Sequence, residues 1–211
     1  MRSTVEALVR GAGCATETGI RSCNPLADKK GMEDIACGWH EPGERGNVRV
    51  EDHCAVCQLF GSQVLASHVR ITDLMVAPDE RRRGRPPVEI RDGVAIDRDL
   101  RVAASGRKYD FEVVSPGVRF NFEVFVENPK PWLMGLLLIG FEQLIDGYTA
   151  LGGFTSRGLG RVNLTWSEMT IVGARDLLDG KPGELLQGDA LEERFKTYRQ
   201  ALAARAAKGD G

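Results

Sequence analysis

The sequence predicts an α+β fold, and three observations predict it. Val118, Phe120, Phe122, Val124 and Val126 alternate with Arg119, Asn121 and Glu123, the period of a half-buried strand. Within residues 131–146, Leu133, Leu136, Leu137, Phe141, Leu144 and Ile145 recur at helical spacing and make one apolar face. A glycine-rich loop at 152–160 then leads into a strand from Arg161 to about Met169, extending toward Val172.

The remaining elements follow along the chain. Residues 3–10 (STVEALVR) read as a short helix, with Ser3 and Glu6 spaced as a capping box and Gly11-Ala12-Gly13 as the stop. Residues 14–57 carry every cysteine and no sustained period, and a loop of that length in a compact domain needs something to order it. Residues 67–77 read as a strand, since Val69 and Ile71 alternate with Arg70 and Thr72. The run DERRRGRPP at 79–87 is expected as an exposed basic loop leading into a polar stretch at 88–108. Residues 109–114 are expected to pair with the 118–126 strand, or to lead into it, through the turn Ser115-Pro116-Gly117. A last helix near 188–207 shows Leu191, Phe195, Tyr198 and Leu202 on one side.

The core order is therefore helix, strand, strand, helix, strand. That is a split βαβ, ferredoxin-like (RRM-like) pattern with its first strand absent. A strand upstream of Met1, or one from another chain, is expected to complete it. Without it the sheet has an exposed edge, which predicts poor solubility for the isolated chain.

Composition bounds the function. The 211 residues fit one domain, or one domain with a large insertion, and 42% apolar with 27% charged residues excludes a wholly disordered chain. Lys plus Arg (28) nearly cancels Asp plus Glu (30), so a polyanionic partner must be argued from local patches. The longest apolar run, 132–141, is too short to span a bilayer, and the opening MRSTVE has no apolar signal region. A soluble, cytoplasmic protein with no membrane partner is expected.

Five cysteines, Cys14, Cys23, Cys37, Cys54 and Cys57, fall in the first 57 residues. An odd count without a signal region argues against a disulfide framework, and the Cys54-x2-Cys57 spacing argues for zinc, which takes four sulfur or imidazole ligands from such turns. Cys23 and Cys37 can complete the set, with Cys14, His40 and His53 in reserve. A structural site is expected, because no H-E-x-x-H pattern is present.

The glycine-rich loop follows a helix and opens a strand, the reverse of a dinucleotide fingerprint, and no Walker Lys-Ser/Thr accompanies it. Its backbone N–H groups can cradle a phosphate, with Arg157 and Arg161 adding charge. Arg157, Gly158, Gly160 and Val162 also fit the RNA-recognition strand pattern, but Leu159, Arg161 and Leu164 stand where aromatics would stack. Backbone contact is expected here, and base stacking is not. The stretch 70–108 holds ten Lys or Arg against seven Asp or Glu, densest at Arg81, Arg82, Arg83 and Arg85, and arginine forks suit phosphate. No nucleophile stands out: Ser62 lacks a G-x-S-x-G elbow, and Asp73, Asp92 and Asp97 are isolated.

Taken together, RSTVE at 2–6, CAVCQLFGS at 54–62, ASHVRITD at 66–73, RDGVAIDR at 91–98, YDFEVV at 109–114, LGG at 151–153 and SRGLGRV at 156–162 resemble the RAMP superfamily, in its order. More narrowly they resemble the backbone subunits of type III CRISPR effector complexes. The resemblance implies a RAMP domain at 1–172 with a ferredoxin-like palm, a zinc-binding insertion at 14–57, a protruding β-hairpin thumb region at about 80–111, centred on 96–111, and a C-terminal helical extension at 173–211. It implies that Cys23, in the turn Cys23-Asn24-Pro25-Leu26, joins Cys37, Cys54 and Cys57 around the zinc while Cys14 stays free. Arg98, Arg101, Lys108 and Arg157 match positions that contact RNA, and Gly152, Gly153, Ser156, Gly158, Gly160 and Arg161 form the loop expected against the guide backbone. The implied partners are CRISPR RNA, target RNA and other RAMP-type subunits.

Family members usually carry about fifty residues before the matching start, holding the first palm strand and the aspartate that cleaves target RNA. An antiviral guide-binding subunit without its own chemistry is therefore expected. The alternative is an endoribonuclease using Asp28 or Asp97 with a metal ion. A zinc-stabilised scaffold that touches only protein is the third reading.

Overall fold

The computed structural model describes residues 1–12, 20–27, 36–40, 49–82 and 87–207, with Arg81 and Arg82 described by backbone alone. Fourteen helices and strands fall among them: α1 (Arg2–Gly11), α2 (Ala55–Phe60), β1 (Val69–Ile71), β2 (Met75–Val76), α3 (Pro78–Arg82), β3 (Val88–Asp97), β4 (Val102–Val114), β5 (Phe120–Asn121), β6 (Val124–Val126), α4 (Pro131–Ile145), β7 (Met169–Ile171), α5 (Ala174–Leu178), β8 (Glu184–Leu186) and α6 (Gly188–Ala207). The chain divides into two compact units, one of residues 1–69 and 126–211, the other of residues 70–125. Among the described residues the strands pair two by two, as β1–β6, β2–β5, β3–β4 and β7–β8.

The first unit is organised by α4. Pro131 opens this helix, where a missing N–H costs nothing. Its sequence is apolar nearly all round, so Leu133, Met134, Leu136, Leu137, Leu138, Phe141 and Leu144 are all buried. The predicted face is therefore correct but too narrow, and Ile145, assigned to it, is 37% exposed. Helix α1 covers one side of α4 through Val5 and Val9. Helix α6 covers another through Leu191, Phe195 and Leu202, as its spacing predicted. Two glycines make these approaches possible. A Cβ at Gly140 would lie 2.7 Å from Val5 Cγ2, and one at Gly135 would lie 2.4 Å from the Tyr198 carbonyl oxygen and 2.8 Å from Leu202 Cβ. Trp166 wedges edge-on between Phe141 and Phe195, with ring centroids 5.0 and 6.0 Å away.

Two sequence expectations change here. The capping box at Ser3 does not form: the N-cap is Met1 without a side-chain bond, and Ser3 lies inside α1. Glu6 is buried and spends its carboxylate on Arg2 at 2.8 Å and Arg10 at 3.8 Å, so it never turns back to the helix start. The strand expected from Arg161 is in a ladder only at Met169–Ile171, paired antiparallel with Glu184–Leu186. Residues 161–167 nevertheless alternate between exposed and half-buried, with Val162, Leu164 and Trp166 turned inward.

In the second unit, β3 and β4 form an antiparallel hairpin from Val88↔Val114 to Asp97↔Val102. Residues 109–114 thus pair with 88–93, within the stretch expected to be polar, and lead into 118–126 through the turn at 115–117, where Val118 N–H donates to the Ser115 carbonyl at 3.3 Å. Asp97 sets this pairing by closing the reversal: its Oδ1 accepts the N–H groups of Asp99 and Leu100 at 2.9 and 3.0 Å. The register slips between Val94 and Ile96 opposite a bulge that contains Gly106 at φ +72°. The expected 118–126 strand is split into β5 and β6. Thr72 bonds Glu123 while Met75 stands opposite Asn121, so three steps on one strand match two on the other. The Thr72 hydroxyl fills the gap by accepting the Glu123 N–H at 2.8 Å. Arg119 ties α3 down through Asp79 and through Glu80 at 2.9 Å. The dense arginines Arg83 and Arg85 lie outside the described residues.

Replacing Gly135 by Ala should force α6 away from α4 and destabilise the protein by about 1–3 kcal/mol. Gly11→Ala, where a Cβ meets nothing within 4 Å, should leave stability unchanged or raise it by about 0.5–1 kcal/mol. Thermal melts of the two variants beside the parent check both.

Candidate metal centre and nucleic-acid surfaces

Cys54 sits at the N-cap of α2, in extended backbone, with its Sγ accepting the Cys57 N–H at 3.4 Å. The two-residue spacing therefore places both sulfurs on the first turn of one short helix. Cys37 arrives from the preceding loop, its Sγ accepting the Cys54 N–H at 3.2 Å. Cys23 comes from the segment that also bonds Ala55 through the Arg21 carbonyl at 3.0 Å, and its Sγ lies 3.6 Å from that of Cys57. The four sulfurs all lie within 4.8 Å of one another. Zn–S bonds of about 2.3 Å in a tetrahedron place the sulfurs about 3.8 Å apart, a spacing close to that of this donor set.

Glycine shapes the approach on both sides of the cluster. Gly38 follows Cys37 at φ +82°, where a Cβ would strike Val64 Cγ2 at 2.3 Å. Gly61 ends α2 at φ +81°, where a Cβ would lie 2.7 Å from the Leu65 carbonyl oxygen. Cys23, Cys54 and Cys57 are buried, which suits a closed structural site.

Crowding governs the protonation of these thiols. Hydrogen bonding with Cys37 lowers Cys23 to about 7, and bonding with Cys23 holds Cys54 well below the usual thiol range. The same Cys23 contact pushes Cys37 and Cys57 up. Four sulfurs this close do not all ionise together unless a cation joins them. Arg2 contributes one positive charge from α1: its guanidinium donates to Cys57 Sγ at 3.5 Å and to the Gly61 carbonyl at 3.0 Å. Nothing in the cysteine spacing pointed to Arg2.

The reserve ligands drop out on geometry. His53 spends Nδ1 on the Arg49 carbonyl and Nε2 on Ser62 Oγ, each at 3.0 Å. His40 is exposed and bonds the Gly38 carbonyl. Cys14 and Asp28 lie outside the described residues. The Ser62–His53 contact is a turn support, since Ser62 Oγ also accepts the N–H groups of Val64 and Leu65 at 3.3 and 3.2 Å. Asp97, the other candidate acid, holds the hairpin turn.

The glycine-rich loop is an exposed surface of the first unit. Leu151 N–H donates to the Gly160 carbonyl at 2.9 Å and closes it. Gly160 must be glycine, because a Cβ there would sit 2.0 Å from the Leu151 carbonyl oxygen at φ +84°. Gly152, Gly153 and Gly158 instead face open space. Among the described residues, the backbone N–H groups of Gly152, Gly153 and Ser156 have no backbone acceptor. Phe154 adopts left-handed backbone at φ +55°, and the Arg157 guanidinium lies over its ring at 5.0 Å. Arg161 lies beside Gly147. The remaining basic candidates belong to the hairpin of the second unit. Arg98 and Arg101 are exposed at its turn, Arg101 with φ +54°, and Lys108 pairs with Asp92 at 3.4 Å between exposed side chains.

A family model described as the RAMP superfamily matches residues 1–163 of this chain. No curated protein matches it.

Cys→Ser changes at Cys23, Cys37, Cys54 or Cys57 should each lower the metal content of purified protein, read by elemental mass spectrometry, while Cys14→Ser should retain it. Chelation should unfold the 20–57 region ahead of α4 and α6, because structural zinc stabilises small sites by on the order of 10–16 kcal/mol. Limited proteolysis with and without chelator reads that order.

Proposed function

The chain belongs to the RAMP superfamily, and from that premise we propose that it is a CRISPR RNA-binding backbone subunit of a type III antiviral effector complex. The observation that carries this reading is the exposed 152–160 loop, whose open glycines and unclaimed N–H groups sit beside Arg157 and Arg161. Such a surface grips phosphates without reading bases, as a guide of arbitrary sequence requires. Superfamily membership itself points to CRISPR-associated RNA binding.

In this reading the hairpin of β3 and β4 is the thumb that shapes the guide–target duplex, with Arg98, Arg101 and Lys108 on the RNA. Lys108 exchanges its exposed Asp92 partner for phosphate at little cost, because such surface pairs are worth at most about 1 kcal/mol. The cysteine cluster holds structural zinc and orders an insertion on a ferredoxin-like palm formed by residues 1–172, with 173–211 as a helical extension. CRISPR RNA, target RNA and other RAMP-type subunits are the partners, and the cytoplasm is the compartment. No helix among the described residues is long and apolar enough to cross a membrane. The endoribonuclease alternative is the weaker reading, since Asp97 commits a carboxylate oxygen to its turn.

Binding to single-stranded guide RNA should be independent of sequence, with log K falling against log salt by roughly 0.7 per phosphate neutralised. Arg157→Ala should weaken all guides alike and reduce that slope by about 0.7. Filter binding across a salt series measures both, and a salt-insensitive isotherm would count against the proposal. Target cleavage by an assembled complex, if present, should survive Asp97→Ala; its loss would favour the endoribonuclease alternative.

A further inference from the structure

We propose that Tyr148 and Phe154 stack on nucleobases of the single-stranded RNA whose phosphates lie on the 152–160 loop. The proposal rests on the RNA-binding reading above and adds base contact to it. The sequence pattern put Leu159, Arg161 and Leu164 where aromatics would stack; the structure presents two aromatic rings elsewhere on the same surface.

Phe154 holds a backbone conformation that a bulky residue adopts only at a cost. Gly152, Gly158 and Gly160 take left-handed backbone at φ +82° to +84°, and Phe154 takes it at +55° with a ring attached. Burial does not explain the choice, since Phe154 is 42% exposed. Strain kept at an exposed aromatic marks a functional contact. The Phe154 carbonyl accepts the Arg157 N–H at 2.8 Å, which fixes the turn that carries the Arg157 guanidinium over the ring at 5.0 Å. The ring thus comes with a cation already stacked on it.

Tyr148 is 80% exposed and equally well anchored. On one side of it the Gly147 N–H donates to the Leu144 carbonyl at 3.3 Å, and on the other the Thr149 N–H donates to the Gln143 carbonyl at 2.9 Å. The backbone is therefore fastened to the end of α4, and presenting the ring costs little further ordering. Gly147, at φ +77°, leaves room for the Arg161 guanidinium, which a Cβ there would meet at 3.1 Å. Each aromatic accordingly has an arginine beside it or beside its chain neighbour. Aromatic rings interleaved with cations suit single-stranded RNA of any sequence, because every base has a π face and every nucleotide a phosphate.

The test uses the full chain, a mixed-sequence RNA oligonucleotide and a twin with the same ribose–phosphate chain and no bases. Fluorescence anisotropy across a salt series should show the base-bearing RNA bound about tenfold or more tighter than its twin. Phe154→Leu and Tyr148→Leu should each weaken the base-bearing RNA by about fivefold or more, and leave both the twin and the salt slope unchanged. Phe154→Trp should retain the parent affinity. Phe154→Gly, which relieves the left-handed strain, should melt no lower than the parent yet lose as much affinity as Phe154→Leu. Equal binding of the two RNAs by the parent, unchanged affinity in either leucine variant, or equal loss of both RNAs would overturn stacking and leave the phosphate grip standing. Failure of the parent to bind either RNA would overturn the RNA-binding reading and this proposal with it.

Discussion

A helix that is apolar nearly all round must be covered nearly all round, and α4 imposes that constraint on the whole first unit. Its leucines leave no face for water, so α1, α2 and α6 all pack on it. Close packing then depends on Gly135 and Gly140, which let two helix surfaces approach at distances any Cβ would forbid. The inward residues of 161–167 lie over the same core, with Trp166 held edge-on between Phe141 and Phe195. The glycine-rich loop links α4 to that run. Its two anchors, the end of the helix and the Leu151–Gly160 bond, are fixed by packing and backbone geometry, which leaves the loop's outer surface open for a ligand.

The cysteine cluster solves a different problem. Among apolar side chains, residues 20–27 and 36–40 bury only Ile20, Ala27 and Ala36 besides cysteine, and the four sulfurs bring these segments together with α2. A cation at such a cluster would turn mutual repulsion among thiolates into attraction. Arg2 couples this centre to α1, because one guanidinium bridges Glu6, Cys57 and the Gly61 carbonyl. A change at the four-cysteine cluster is thereby felt at the helix that packs on α4.

Legibility in the sequence followed the strength of the local signal. Helices α4 and α6 were readable because fifteen and twenty residues carry apolar side chains at helical spacing without a break. The clustering of Cys23, Cys37, Cys54 and Cys57 was readable from spacing and resemblance together. The hairpin was harder: Ile90, Val94 and Ile96 are exposed, so its alternation reports no buried face and reads as polar loop. The break between β5 and β6 was invisible in residues 118–126, because its cause is an extra residue on the opposite strand. Ser3 and Glu6 show the converse error, a correct motif spacing defeated by burial of Glu6 between two arginines. The candidate RNA contacts came from resemblance; periodicity could not have singled out Arg98 or Lys108.

Backbone groups, more than side chains, define the open surfaces of the first unit. At 152–160 the N–H groups of Gly152, Gly153 and Ser156 have no backbone acceptor, and Gly152 and Gly153 face open space, which suits an anion and gives no preference among bases. At 161–165 the side chains alternate as in a strand while the backbone groups of 162–165 carry no backbone partner among the described residues. The two surfaces are contiguous in sequence, and Gly160 marks the change: its carbonyl closes the loop on Leu151, after which side chains begin to alternate.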